Sequence, residues 1–502
     1  MGYSFLPERD IWQHAPILTG STKFEPQQDV KNIMITGGEG FIASWLVRHL
    51  VLTYPGAYNV ISFDKLDYCS SLNNTRALRE KPNFTFYQGD ITSPSEVLDC
   101  LNRYNIDTVF HFAAQSHVDL SFGNSYSFTE TNVYGTHVLL ESAKTVGIKR
   151  FIHISTDEVY GEVAHGNDDL PEASILSPTN PYAASKAAAE MLVNSYQKSF
   201  KLPVIIVRSN NVYGPHQYPE KIIPKFISLL HRGQPVILHG DGSPTRRYLF
   251  AGDAADAFDT ILHKGEIGQI YNIGSSDEIS NAELCRIILT EMGINVKDTN
   301  DFQRWVKHTH DRPFNDQRYA VDATKLKMLG WTQKTSFDEG LNTTIDWYKR
   351  YGDKWWGDIS PVLTPFPQAL TRSHISLCTK LSSPTPHTLQ NPKRLSHPSE
   401  APQWPRCRHQ IPKYLLMAHM RDALGHAKRP HGAAQDRGVL KLLKQANNLA
   451  WTLADIWVVR LPPGCYYGEI FYRGVGPDAS RCGLLDEMVR IAGSINDKRS
   501  IS

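Results

Sequence analysis

The chain holds 502 residues, with 53 lysines and arginines against 51 aspartates and glutamates and a formal net charge of +2. The length allows two or three domains, and a charge this balanced selects no partner, neither nucleic acid nor a membrane surface. The balance hides an asymmetry: from Pro361 onward 19 basic residues face 9 acidic ones, while the first 360 residues hold 34 against 42. The chain is therefore not one uniform unit.

The seven cysteines, Cys69, Cys100, Cys285, Cys378, Cys407, Cys465 and Cys482, are odd in number and never spaced as Cys-x-x-Cys. They point to a reduced intracellular protein without a cysteine zinc site, and no metal is expected. Residues 1–30 lack an unbroken apolar core, and no apolar run reaches transmembrane length. The expectation is a soluble, cytoplasmic protein with a flexible lead-in over residues 1–30.

Order is expected from Lys31 to Thr36, a short apolar strand that runs into Gly37-Gly38-Glu39-Gly40-Phe41-Ile42-Ala43-Ser44. Gly37 and Gly40 permit a tight turn and let backbone amides approach a pyrophosphate, and Ala43 is small enough for helix to pack on strand. A helix expected over 44–54 turns its positive N-terminus to that phosphate. A second strand, 58–63, ends in Asp64, whose carboxylate suits an adenosine ribose and repels a 2′-phosphate, which favours NAD over NADP. A third strand, 84–88, leads to Gly89-Asp90-Ile91, and a fourth, 108–112, to Ala113-Ala114. With a helical stretch over 95–104 between them, the pattern is that of a right-handed, doubly wound parallel sheet. Asp90 can hydrogen-bond the adenine, and the small alanine pair lets a cofactor lie against the backbone.

The apolar run from Arg150 to Ile154 reads as a buried parallel strand, so Thr156, Asp157 and Glu158 fall at its end, where open α/β sheets bind ligands. Tyr182 follows Pro181 and precedes the alanine-rich helical run 183–191, which puts Tyr182 and Lys186 on one helical face. A lysine one turn away favours phenolate over phenol and is expected to lower the Tyr182 pKa towards working pH. Further strands over 204–208 and 271–273, a turn over 240–247 that presents arginine, and helices over 280–292 and 336–351 build the second half. Arginine forks suit a diphosphate, which singles out Arg246 and Arg312.

These stretches together resemble the extended short-chain dehydrogenase/reductase family and, within it, the nucleoside-diphosphate-glucose 4,6-dehydratases of the dTDP-glucose and UDP-glucose type. The match rests on Thr36 to Ser44, Phe63 to Leu66, Ala113 to Asp119, Ser155 to Gly161, Tyr182 to Lys186, Asn210 to Pro215, Tyr218 to Pro224 and Asp311 to Asp316. Ala43 stands where bacterial members usually have glycine, Gln115 where they tend to have glutamate, and Phe314-Asn315 where they tend to have Gly-His. Those choices resemble the eukaryotic branch.

The resemblance implies a Rossmann-type doubly wound sheet with a smaller, interleaved C-terminal substrate-binding domain. The NAD-binding part is expected over 31–210, with a returning segment near 248–275, and the sugar-nucleotide part over 211–247 and 276–355. The residues expected to hold NAD are Gly37, Gly40, Phe41, Ile42, Asp64, Asp90, Ile91, Ala113 and Ala114, with Tyr182 and Lys186. His117, Asn211, Lys221, Arg246 and Arg312 are expected to hold dTDP-glucose or UDP-glucose, and no motif encodes which base. A homodimer on the helices near 128–146 and 182–200 is also implied.

On this resemblance Tyr182 takes the proton of the sugar C4 hydroxyl while NAD takes the C4 hydride, with Lys186 holding the phenolate and Thr156 bonding the reacting oxygen. The C4 ketone acidifies C5–H. Glu158 is the base there, and protonated Asp157 is the acid that lets the C6 hydroxyl leave as water, the two carboxyls being set apart by burial and mutual repulsion. Hydride return to C6 gives the 4-keto-6-deoxy sugar nucleotide of rhamnose-type biosynthesis. Asp157 discriminates, because related epimerases lack the carboxylate pair, and UDP-glucuronate decarboxylases and GDP-mannose 4,6-dehydratases typically read Thr-Ser-Glu. The competing readings are such a decarboxylase or 4-epimerase, or a protein that binds NAD and sugar nucleotide without turnover.

Past Gly357 the resemblance stops. Residues 361–412 contain ten prolines and read as a disordered linker. Over 413–502, a basic run at 421–437 and apolar residues at helical spacing over 439–453 fit no module, and this tail is of unknown fold.

Overall fold

Strands buried on both faces read as apolar runs, and five such strands with one half-buried edge strand, β3, follow one another through the first half: β1 (Asn32–Thr36), β2 (Asn59–Asp64), β3 (Phe84–Gln88), β4 (Thr108–His111), β5 (Arg150–Thr156) and β6 (Val204–Ser209). After β7 (Asn211–Tyr213), β8 (Val236–His239) and β9 (Thr245–Phe250), β10 (Ile270–Ile273) returns to join them. The computed structural model describes residues 11–164 and 166–364, with the backbone of 456–458 and 470–472. The seven strands lie in the order β3-β2-β1-β4-β5-β6-β10, all parallel. The strand order reverses between β1 and β4, so the crevice that receives ligands in such sheets opens at their C-terminal ends.

Alternation along β1 divides the core into two layers. Ile33 and Ile35 join one buried cluster and Met34 the other, as period-2 side-chain direction requires. The first layer lies under α1 (Phe41–Thr53), and the second under α2 (Pro94–Arg103), α3 (Gly135–Val146) and α4 (Pro181–Phe200). The first layer continues through α5 (Ile222–His231) and α6 (Ala251–Lys264) into the second half. There β9 pairs with β7 and with β11 (Glu278–Ser280), and β8 pairs with β12 (Val306–Thr309).

Three local expectations shift. α1 starts at Phe41, not Ser44, because Gly40 is its N-cap. Arg246 and Arg247 lie within strand β9, paired with Ile279 and Glu278, and not in a turn: Tyr248, Leu249 and Phe250 are buried and pull the arginines into the extended segment. Of the lead-in before β1, residues 1–10 lie outside the described residues, and residues 21–27 are held by hydrogen bonds. The Ser21 hydroxyl donates to Asp256 at 2.7 Å and the Thr22 hydroxyl to Asp259 at 2.8 Å, while Phe24 and Gln27 donate backbone N–H groups to Tyr54 and Tyr58.

The chain divides into two compact units, Met1–Thr385 and Pro386–Ser502. In the second, β13 (Ile456–Val458) and β14 (Ile470–Tyr472) pair antiparallel. The expected disordered linker, 361–412, instead opens within a short helix, Ser360–Leu363, where Leu363 is buried; its residues past 364, the basic run and the helical spacing over 439–453 lie outside the described residues. Among the described residues no helix is long and apolar enough to cross a membrane.

Candidate active site

One cleft runs along the C-terminal ends of β1, β4 and β5 and on into the second half. At its β1 end the turn after Thr36 needs glycine: Gly37 has φ +70°, and a Cβ there would stand 3.0 Å from the Ala113 backbone. No side chain caps α1, so its first N–H groups are free to meet an anion. Asp64 ends β2 and accepts from Glu39 N at 3.0 Å, Leu66 N at 2.7 Å and Ser70 Oγ at 3.1 Å. Asp90 accepts from Thr92 N and Oγ1, each at 2.9 Å. Gly40, Phe41, Ile42, Ile91, Ala113 and Ala114 line the same wall. An uncapped helix start, a position closed to any Cβ and an anchored carboxylate suit the pyrophosphate and ribose of a dinucleotide.

Beneath this loop lies the carboxyl of Glu39, within the glycine-rich turn. Glu39 is fully buried, accepting from Ser62 Oγ at 2.8 Å and Thr75 Oγ1 at 2.7 Å. Burial, with the Asp64 charge adding to it, pushes Glu39 up to about 8. An acid raised on folding contributes stability that is intact below its ordinary pKa, 4.5, and lost as pH rises through about 8. That window spans on the order of a few kcal/mol. Melting temperature is therefore expected to fall between pH 5 and pH 9, and Glu39→Gln, which mimics the neutral acid, to flatten that slope in thermal melts.

At the β5 end the chain turns sharply from strand to a 3₁₀ turn, Asp157–Tyr160. Thr156 Oγ1 donates to Asp157 Oδ1 at 3.2 Å and accepts from Glu158 N at 3.3 Å. The two carboxyls then part. Asp157 is buried behind the cleft wall and accepts from Asn210 Nδ2 at 2.6 Å. Glu158 lines the cleft and accepts from Asn180 Nδ2 at 3.0 Å. Burial raises both, and the Glu158 charge lifts Asp157 further, to about 7.

Tyr182 and Lys186 sit in the first turns of α4, and both line the cleft. The expected lowering of Tyr182 by Lys186 is not what the structure shows. Burial and the charges of Glu158 and Asp157 push the phenol well above its ordinary value, against a Thr156 hydrogen bond. Lys186 Nζ instead donates to Ile154 O at 2.6 Å, and burial pulls it down to about 8, against the charge of Glu190. Glu190, one turn on, is fully buried and pairs with Arg208 at 2.6 Å.

Of the residues expected on the substrate side, His117, Asn211, Lys221, Arg246 and Arg312 all line the second half of the cleft. Lys221 Nζ donates to Ser116 O at 2.7 Å. Arg246 Nη1 donates to Asp316 O at 2.9 Å, and the guanidinium lies 4.6 Å from the Tyr319 ring centre. Arg312 closes on Asp119 at 2.6 Å; burial pushes Asp119 up, but Arg312 together with His117 and His239 brings the net direction down. Burial lowers His117 to about 3, so it is neutral at pH 7.

Sequence reasoning missed Asn180 and Asn210, which hold the two carboxyls. Asn180 is the N-cap of α4, accepting from Ala183 N at 2.8 Å. An Asn-Pro pair before an alanine run signals that cap, but nothing local signals its reach to Glu158.

A model of the GDP-mannose 4,6-dehydratase family matches residues 34–344. The trifunctional UDP-glucose 4,6-dehydratase/UDP-4-keto-6-deoxy-D-glucose 3,5-epimerase/UDP-4-keto-L-rhamnose-reductase of Arabidopsis thaliana is 52% identical over 345 residues, covering 68% of this chain and 50% of that protein. The chain thus spans about half the length of the trifunctional relatives it matches. The dTDP-D-glucose 4,6-dehydratase of Homo sapiens is 47% identical over 340 residues, 67% of this chain and 95% of that one. Among solved structures, dTDP-glucose 4,6-dehydratase from Streptomyces venezuelae, with NAD and TYD bound, superposes with a TM-score of 0.61 at 37% identity, over 66% of this chain and 99% of that one.

Proposed function

The chain belongs to the GDP-mannose 4,6-dehydratase family, and we propose that it acts as an NAD-dependent hydro-lyase that converts dTDP-glucose or UDP-glucose to the 4-keto-6-deoxyglucose nucleotide. The observation that carries this reading is the pair of adjacent carboxyls, Asp157 and Glu158, held by different partners beside Tyr182 and Lys186. Oxidation at C4 alone needs no such pair. Loss of water across C5 and C6 needs both a base and an acid.

NAD, when bound, supplies the hydride acceptor for C4 and the hydride donor for C6. Gly37, Gly40, Phe41, Ile42, Asp64, Asp90, Ile91, Ala113 and Ala114 would hold it, with Lys186 on the nicotinamide ribose. Tyr182 takes the C4 hydroxyl proton, and Thr156 donates to the oxygen that becomes the ketone. A positive charge brought into the cleft opposes the two carboxyls that now hold the phenol neutral. Glu158, on the cleft wall, removes the C5 proton. Asp157, raised to about 7, keeps its proton on the acidic side of neutrality and releases it to the departing C6 oxygen. His117, Asn211, Lys221, Arg246 and Arg312 hold the sugar and diphosphate, which requires Arg312 to exchange Asp119 for phosphate.

The NAD-binding part is read as 31–210 with the return near 248–275, and the sugar-nucleotide part as 211–247 and 276–355. A homodimer through the helical runs 125–146 and 181–200 is supported by exposed Tyr126, Tyr134, Met191 and Phe200 on them. Cys69, Cys100 and Cys285 are free thiols, which supports a reducing, cytoplasmic setting.

Mass spectrometry of separate incubations with UDP-glucose, dTDP-glucose, GDP-mannose and UDP-glucuronate tests the proposal. Loss of one water from a glucose nucleotide is expected. Loss of carbon dioxide from the glucuronate would overturn it, and no change in any tube, with NAD added, would leave a protein that binds without turnover.

A further inference from the structure

Asn210 stands between β6 and β7 and is 3% exposed. Both ends of its amide are committed. Ser275 N donates to Asn210 Oδ1 at 2.9 Å and Asn210 Nδ2 donates to Asp157 Oδ2 at 2.6 Å, while the backbone N–H of Asn210 is held separately by Ile273 O at 3.0 Å. A flipped amide would turn its NH₂ onto the Ser275 N–H, donor against donor, so Nδ2 is obliged to face Asp157 Oδ2. Both oxygens of Asp157 face a donor, but the Thr156 hydroxyl on Oδ1 can turn round and accept whereas the locked amide on Oδ2 can only donate, so the proton of a neutral Asp157 is favoured on Oδ1. Thr156 lines the cleft, whereas Asp157 itself does not. The charged and titratable groups facing Asp157 are Glu158 on its own turn, Tyr182 on α4 and Arg246 on β9.

We propose that Asn210 is a positioning residue for the elimination step: its amide, locked by the Ser275 N–H, assigns the proton of Asp157 to Oδ1, on the side that leads past Thr156 to the cleft. The inference rests on Asp157 being the acid. In the step concerned, the C5–H electron pair forms the C5=C6 double bond as Glu158 takes the proton. The C6–O bond breaks, and the hydroxyl leaves with the Asp157 proton as water. Asn210 exchanges nothing. It favours the carboxylate that remains, and so also limits how far up in pH the acid stays loaded.

The test is the pH profile of water loss for full-length Asn210→Ser and Asn210→Asp, with Asp157→Asn alongside. Removing the amide donor is expected to move the alkaline limb up by roughly one pH unit. A second carboxyl at position 210 is expected to move it further, because a like charge beside Asp157 opposes loss of its proton. Deuterium uptake at C5, which reports Glu158, should stay within about twofold in Asn210→Ser, since Asn210 does not touch that base. A merely structural role would lower the rate evenly at every pH and leave the limb where it is, which would overturn the proposal. Should Asn210→Asp fail to fold, the limb of Asn210→Ser decides alone. If Asp157→Asn retains water loss, the reading of Asp157 as acid has failed, and the proposal falls with it on grounds separate from Asn210.

Discussion

Tyr182→Phe is expected to cut product formation by about 10²–10⁴-fold, the usual contribution of a positioned acid or base, with little change in melting temperature. The substitution removes one oxygen from a buried ring that packs edge-on to Phe128, so the packing survives and the proton acceptor does not. The phenol is an unpromising base by itself, being held neutral by burial and two carboxyls. Its use therefore depends on charge brought into the cleft with the cofactor, and activity should rise with pH on the acidic side. The measurement is product mass against time over a pH series, with thermal melts as the control for folding. A loss of less than tenfold would shift the base to Lys186, whose value near 8 lies within reach of neutral pH.

The second large effect separates the carboxyls. Glu158→Gln is expected to abolish both deuterium uptake at C5 and water loss, because without the base the C5 proton stays in place. Asp157→Asn should keep the uptake and lose water formation by about 10²–10⁴-fold, since only the acid is gone. For the unaltered chain, water loss should decline as pH rises past about 7, where Asp157 gives up its proton. Loss of uptake in Asp157→Asn, with retention in Glu158→Gln, would reverse the two assignments.

How much of this was legible in the sequence follows from distance along the chain. The strands of the parallel sheet other than the edge strand β3 show themselves because they are buried on both faces and carry mostly apolar residues. Thr156, Asp157 and Glu158 are adjacent, and Tyr182 and Lys186 are one helical turn apart, so one strand end and one helix suffice to gather them. Asn180 and Asn210 reach their carboxyls from 22 and 53 residues away, and no local pattern encodes such a contact. The sign of the Tyr182 shift was misjudged for the same reason: spacing sets Lys186 near the phenol but says nothing of the Ile154 carbonyl that engages it. The burial of Glu39 is not legible locally, because Ser62 and Thr75 close around it only when β2 and the following loop are in place. Arg246 and Arg247 were assigned to a turn on the strength of the preceding glycines, whereas the aromatic and aliphatic residues after them decide in favour of a strand.

The contacts of residues 21–27 bear on how this half of the protein opens. Ser21, Thr22 and Gln27 bond to Asp256, Asp259 and the His263 backbone, all on α6, and the same Asp259 accepts from His49 and Tyr54 around the end of α1. One carboxylate thus ties three segments that are far apart in the chain. Detaching either residues 21–27 or the end of α1 from α6 leaves the buried Asp259 short of a donor, which couples the three segments in local unfolding. The layer that backs the dinucleotide turn therefore resists piecemeal opening, and residues 21–27 share in its stability.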